Sequence, residues 1–159
     1  MAVPRPEPPS SPRDDLPPFV FAGKTDTGRR RSSNQDRFLA TTVGLPGGPA
    51  TLLAVADGMG GAAGGEVASG HAVEELTRVL GQALPERSSG ELLSDGIAAA
   101  NRTIYEHAQA EPALYGMGTT LVAVLVAGDQ MIVAHVGDSR AGPVRDGTLR
   151  RLTADHSWV

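Results

Sequence analysis

Leu52, Leu53, Ala54, Val55 and Ala56 form an apolar run that delivers Asp57 into the glycine cluster Gly58-Met59-Gly60-Gly61. A short apolar run of this kind reads as a buried strand. A carboxylate at its very end is desolvated on one side and needs a counter-charge or hydrogen-bond donors. The glycines remove side chains where a cation or a phosphate would approach, so backbone groups can come close. A second apolar run, 131–136, delivers another carboxylate to a glycine corner in Gly137-Asp138-Ser139-Arg140. Upstream, Thr25-Asp26-Thr27-Gly28-Arg29-Arg30-Arg31-Ser32-Ser33-Asn34-Gln35-Asp36 sets a glycine turn, an arginine cluster and an acid in sequence. Carboxylates and a guanidinium together suit divalent cations and phosphate oxygens, the latter because the guanidinium fork binds two oxygens at once. Plainer readings stand beside these: Asp57 as the cap of a following helix, the three arginines as a solvated basic patch, Asp138 as a turn acid.

Composition narrows the chemistry. The chain has no cysteine, so it has neither disulfides nor thiolate metal sites, and any metal is held by carboxylates and other oxygens. Such donors favour magnesium or manganese over zinc. Lys and Arg number 14 against 18 Asp and Glu, a net charge of −4, which gives no electrostatic footprint for nucleic acid. No run approaches the length needed to span a membrane, and no basic start followed by an apolar segment marks a secretory signal. A cytoplasmic location is expected.

The elements that must position these residues follow from periodicity. Seven of the 12 prolines fall in residues 1–18, so 1–18 is expected to be a disordered, proline-rich leader, and 19–159 a single domain. Short apolar segments at 19–22, 38–43 and 52–56 predict three strands, with a loop over 44–49. A helix is predicted over 65–84, with Ala68, Ala72, Leu76 and Leu80 on one face. A second opens with the capping box Ser88 and Glu91 and carries Leu93, Ile97, Ala100 and Ile104 on one stripe, ending before Pro112. Strands at 119–127 and 131–136 meet at Gly128-Asp129, and Asp146-Gly147 marks a hairpin between 141–145 and 148–152. Strands, two helices and strands again predict an α+β fold with helices covering one sheet face.

Four blocks now stand in order: the arginine–acid block at 25–36, the Asp57-Gly58 block, Gly116-Met117-Gly118-Thr119-Thr120, and Gly137-Asp138-Ser139-Arg140 followed by Leu152-Thr153-Ala154-Asp155-His156-Ser157. In this order they resemble the metal-dependent protein phosphatases of serine and threonine, the type 2C or PPM family, in its bacterial form. The resemblance implies an antiparallel β-sandwich flanked by helices. It implies hydrolysis of phosphoserine and phosphothreonine in proteins by a water activated at two Mn2+ or Mg2+ ions, with a third, weaker metal site. Asp57 would bridge the two metals, with the Gly58 backbone carbonyl as a further ligand. Arg31, five residues before Asp36, would grip the phosphate; Asp36 would orient metal-bound water; Asp138 would bind the third metal. The implied partners are phosphoproteins, including a serine/threonine kinase or its targets.

The chain also departs from that pattern. Met59 stands where eukaryotic members place a histidine, so leaving-group protonation must come from water or another group. Gln35 replaces the glutamate that many members carry. None of His71, His107, His135 and His156 forms a metal-spaced pair in the sequence, and none is assigned a role. Two further aspartates of the family pattern lie beyond Val159, so the chain is expected to be the N-terminal portion of a phosphatase domain, incomplete at its C-terminus, with weak metal binding and exposed sheet edges.

Two other classes compete. Gly58-Met59-Gly60-Gly61-Ala62-Ala63 fits a loose dinucleotide-binding fingerprint, but Asp57 would sit beside the pyrophosphate and no acid follows at the distance the ribose requires. A P-loop fails, since no glycine loop ends in Gly-Lys-Ser/Thr. A catalytically dead phosphoprotein-binding module that keeps Arg31 is the remaining alternative.

Overall fold

The computed structural model describes residues 20–29 and 33–156. The proline-rich leader expected over 1–18 and the arginine at position 31 lie outside the described residues.

Two antiparallel hairpins and a helical pair build the fold. Strand β1 (Asp36–Leu45) turns into β2 (Gly48–Met59), helices α1 (Gly61–Gly81) and α2 (Ser89–Ala110) follow, and a 3-10 turn at Pro112–Leu114 leads to β3 (Gly118–Thr119), β4 (Leu121–Ala127) and β5 (Gln130–Val136). The main sheet has the order β1-β2-β4-β5, with β3 pairing against the end of β2. A separate ribbon is formed by β6 (Val144–Arg145) and β7 (Thr148–Leu149).

Period-two alternation assigns the faces. Leu52, Ala54 and Ala56 of β2 and Leu121, Ala123 and Leu125 of β4 are buried against Ala72, Leu76 and Leu80 of α1 and Leu93 and Ala100 of α2. Each fully buried leucine is worth about 1.5–3 kcal/mol over an exposed one, so this layer holds the sheet to the helices. The capping box stands as expected: the Ser88 hydroxyl accepts from the Glu91 amide at 3.3 Å and the Ser88 amide donates to the Glu91 carboxylate at 2.8 Å. Ser88→Ala is expected to cost about 1 kcal/mol, read as a lowered urea midpoint with unchanged slope.

Several boundaries differ from expectation. The loop over 44–49 shrinks to two residues, because the β1–β2 ladder continues to Leu45↔Gly48. Pro49 is tolerated there because β4 reaches only Thr51 to Val55 of β2, leaving β2 one neighbour at position 49. Helix α1 starts at Gly61, not 65, despite the poor helix propensity of its glycines; packing against β2 overrides propensity. No strand forms at 20–22, where Val20 is 98% exposed and no ladder partner is present among the described residues.

The expected hairpin about Asp146-Gly147 is present but shorter. Both turn residues have positive φ, 52° and 72°, which the tight two-residue turn requires. Beyond it the Arg150 amide still reaches the Pro143 carbonyl at 3.0 Å, and the Leu152 amide reaches the Ala141 carbonyl at 2.9 Å.

The α+β class stands, but the sandwich is present only in part. One five-stranded sheet is covered on one face by α1 and α2. On its other face Phe38 and Val55 are 44% and 45% exposed, and residues 20–24 together with the segment around β6–β7 line only part of it.

Candidate metal and phosphate site

Both β1 and β2 carry their apolar core residues on one face, so the alternate positions turn to the other. Asp36 and Asp57 occupy such positions, and they are cross-strand partners. Directly opposed residues have Cβ atoms about 4.5–5.5 Å apart, and two like charges placed so are destabilising. A cation between them reverses the sign of that interaction.

A line of contacts extends from this pair across the sheet. The Asp57 amide donates to the Thr120 hydroxyl at 3.0 Å, and the Thr120 amide donates to the Asp57 carbonyl at 2.9 Å. The Thr120 hydroxyl also stands 2.7 Å from the Ser139 hydroxyl. Gly137 has φ 93°, and a Cβ there would come within 2.7 Å of the Thr120 side chain. Thr120, itself 7% exposed, therefore joins the strand end that carries Asp57 to the corner that carries Asp138. The sequence blocks contained Thr120 and Ser139, but only the folded chain brings their hydroxyls together. Thr120→Val removes the hydroxyl with little change of shape and leaves the Asp57 amide without its acceptor. A loss of about 1–3 kcal/mol is expected in denaturant unfolding, with Thr120→Ser losing less.

Asp36 is held from its own side. Its amide donates to the Asn34 side-chain oxygen at 3.1 Å and its carboxylate accepts from the Thr25 hydroxyl at 3.3 Å, while Asn34 donates to Thr25 at 2.7 Å. Arg37, next along β1, donates to Glu66 of α1 at 2.7 Å, pinning the strand start to the helix start. Gln35 does not project as a carboxylate substitute: its side-chain amide nitrogen donates to the Gly61 carbonyl, and its backbone carbonyl accepts from the Gly58 amide at 3.1 Å.

Gly58 explains its own identity. A Cβ there would overlap the Gly65 carbonyl oxygen and approach the Gln35 carbonyl oxygen to 2.7 Å. Helix α1 thus lies directly on the strand end, and the glycine loop between them is drawn tight beneath the carboxylates.

Asp138 is exposed, as is Asp57, while Asp36 is half-buried. The neighbouring Arg140 binds Asp155 through two bonds, 3.1 and 2.7 Å, and this pairing holds the Asp155 carboxyl below the usual carboxylate range. Arg140 and Asp155 therefore latch 137–156 together, in keeping with a structural role.

The donor chemistry fits a hard divalent cation: oxygens only, with carboxylates from two adjacent strands. Among the described residues no group of three or more His, Asp or Glu is placed to hold one ion, so Asp36 and Asp57 are a partial ligand set. A concavity of about 670 Å³ beside Met59, lined by Ile97, Ile104, Tyr115 and Met117 of the helical side, carries no carboxylate and is not this site. The histidines, unpaired in sequence spacing, are brought into two contacts by the fold, His71 with His107 and His135 with His156.

Comparison with known proteins follows the same lines. Residues 25–158 match the family described as protein phosphatase 2C. The serine/threonine protein phosphatase PstP of Mycobacterium tuberculosis is 39% identical over 142 residues, which is 87% of this chain and 25% of that protein. The serine/threonine phosphatase stp of Listeria monocytogenes is 38% identical over 141 residues, 86% of this chain and 54% of that protein. Among solved structures, the catalytic domain of PstP in complex with two manganese ions superposes with a TM-score of 0.72 at 38% identity, covering 85% of this chain and 55% of that one. Stp1 of Staphylococcus aureus gives a TM-score of 0.71 at 30% identity, covering 89% and 58%. The chain thus spans about half the length of the Listeria relative and a quarter of PstP.

Proposed function

The chain belongs to the protein phosphatase 2C family, and from that premise we propose that it serves the hydrolysis of phosphoserine and phosphothreonine in proteins at a carboxylate-bound two-metal centre. The observation that carries this reading is the cross-strand pairing of Asp36 with Asp57. Manganese or magnesium, when bound, supplies charge neutralisation and a water of lowered pKa. Asp57 would hold both ions, and the Gly58 carbonyl would be a second donor. Asp36, steadied by Thr25 and Asn34, orients the attacking water. Arg31 holds the phosphate dianion, for which a guanidinium fork is suited. Asp138 binds a further, weaker cation. Met59 carries no acidic proton, so the leaving alkoxide would take its proton from water or another group.

The proposed substrates are phosphoproteins, among them a serine/threonine kinase or its targets, in the cytoplasm. No described helix is long and apolar enough to cross a membrane. The test is phosphate release from a phosphothreonine peptide by this chain, with and without Mn2+, beside its Asp57→Asn variant. Manganese-dependent release that the variant loses supports the reading. Phosphopeptide binding without release would replace it with a non-catalytic phosphoprotein-binding module.

A further inference from the structure

His71 lies on α1 and His107 on α2, and the Nε2 atom of His71 stands 2.8 Å from the Nδ1 atom of His107. The rings meet edge to face at 78°, with centroids 4.5 Å apart, and one nitrogen of each lies within hydrogen-bond distance of the other. The other nitrogen of His71, Nδ1, lies 3.6 Å from the Glu74 carboxylate one helical turn on. We propose that His71 and His107 form a second cation site, one that takes a borderline divalent ion such as Zn2+ and links α1 to α2.

Three features carry this. First, two imidazole nitrogens bound to one tetrahedral ion at 2.0–2.1 Å stand about 3.3–3.4 Å apart, so nitrogens already 2.8 Å apart need separate only by about half an ångström, with the two rings turning about their side-chain bonds to aim both lone pairs at one point. Second, a carboxylate on the far nitrogen of a ligating histidine fixes its tautomer and orientation. Glu74, 3.6 Å from that nitrogen, needs only a small side-chain adjustment to accept from it, which would leave Nε2 of His71 free to bind the ion. Third, the pair is reachable: the His71 side chain is 22% exposed, and His107 lies at the surface.

The neighbouring acid, Glu75, is engaged by Arg78 at 2.7 and 3.0 Å, and no three-residue ligand group occurs among the described residues. Two imidazoles and solvent therefore make up the coordination shell. Imidazole donors select Zn2+, Ni2+ or Cu2+, where the carboxylates of β1 and β2 select Mg2+ or Mn2+. The two sites are thus separable by ion. His135 and His156 do not offer the same geometry: their rings stack at 26°, face to face.

The site does not depend on the phosphatase reading. A ligand that binds only the folded state raises its melting temperature. In the EDTA-treated chain, micromolar Zn2+ is expected to raise the midpoint by about 2–4 °C, the shift that a modest stabilisation gives at this size. His71→Asn and His107→Asn should each abolish the rise, since a two-point chelate needs both, whereas Asp57→Asn should keep it. Cu2+ bound to the unaltered chain should show coupling to two nitrogens by electron paramagnetic resonance. The proposal is overturned by no rise with Zn2+, by a rise that survives both histidine variants or disappears in His135→Asn, or by an oxygen-only copper spectrum.

Discussion

In the enzyme with its two-metal centre assembled, Asp57→Asn is expected to reduce manganese-dependent phosphate release by more than about 10³-fold, while the metal-free chain carrying it melts close to its usual temperature. The size follows from what one charge does here. Losing a residue that merely orients a metal ligand costs about 10–100-fold, and in the bridging role proposed for Asp57 the loss is larger, because that carboxylate would set the charge and spacing on which activation of water depends. The small effect on folding follows from exposure. The Asp57 side chain is exposed, whereas its structural contacts with Thr120 are made by backbone atoms, the amide at 3.0 Å and the carbonyl at 2.9 Å. Asparagine keeps both. Asp129→Asn, in the turn between β4 and β5, changes the net charge equally at an exposed position beyond the far end of those strands and should leave the rate untouched. Near-normal release by Asp57→Asn would remove Asp57 from the centre. A metal-free melting point many degrees lower would turn the result into a folding defect and deprive it of meaning for chemistry.

That separation of roles also explains how far the sequence could be read. Features written in neighbouring residues were legible: the Ser88–Glu91 box, the Asp146-Gly147 turn, the apolar stripes of α1 and α2, and the delivery of Asp57 and Asp138 by strands into glycine corners. Features that exist only once strands pair were not. Nothing in the spacing of positions 36, 57 and 120 says that the first two oppose each other or that the third bonds the second; the β1–β2 hairpin register decides the first, and the pairing of β2 with β3 and β4 the second. The early start of α1 was hidden for a related reason, since Gly61 to Gly65 reads as loop by propensity and becomes helix by contact with β2. The contact of His71 with His107, 36 residues apart, is likewise a product of helix packing. The sandwich was implied by family resemblance alone, and the described residues supply one sheet of it with a short ribbon.

Gly58→Ala is the substitution expected to cost the fold most. One methyl group is a small change, and at most glycines it would meet open space, as at Gly44, Gly47 or Gly70. At Gly58 it overlaps the Gly65 carbonyl oxygen and comes within 2.7 Å of the Gln35 carbonyl oxygen. Both are backbone atoms, so neither obstacle clears by a rotamer change. Gln35 is also bonded to the Gly58 amide at 3.1 Å, and its side chain holds the Gly61 carbonyl; relief requires α1 to move off the strand. That motion would uncover the layer in which Leu52 and Leu76 are fully buried. A loss above about 3 kcal/mol is expected, in the range reserved for core overpacking and backbone conflict, and it should appear as a depressed urea midpoint without Mn2+ present. Gly65→Ala offers the comparison that identifies the cause. Its Cβ would stand 2.8 Å from the Gln35 side-chain carbon and 2.8 and 2.9 Å from the Gly58 carbonyl group, so part of its strain lies against a side chain. Adding Gln35→Ala should therefore recover some stability in Gly65→Ala and little in Gly58→Ala. Equal recovery in both would mean that the Gln35 side chain, rather than the closeness of strand and helix backbones, makes glycine necessary beneath the carboxylates. A tolerated Gly58→Ala would show that α1 can stand away from β2 without loss, and that the tight loop is dispensable to the fold.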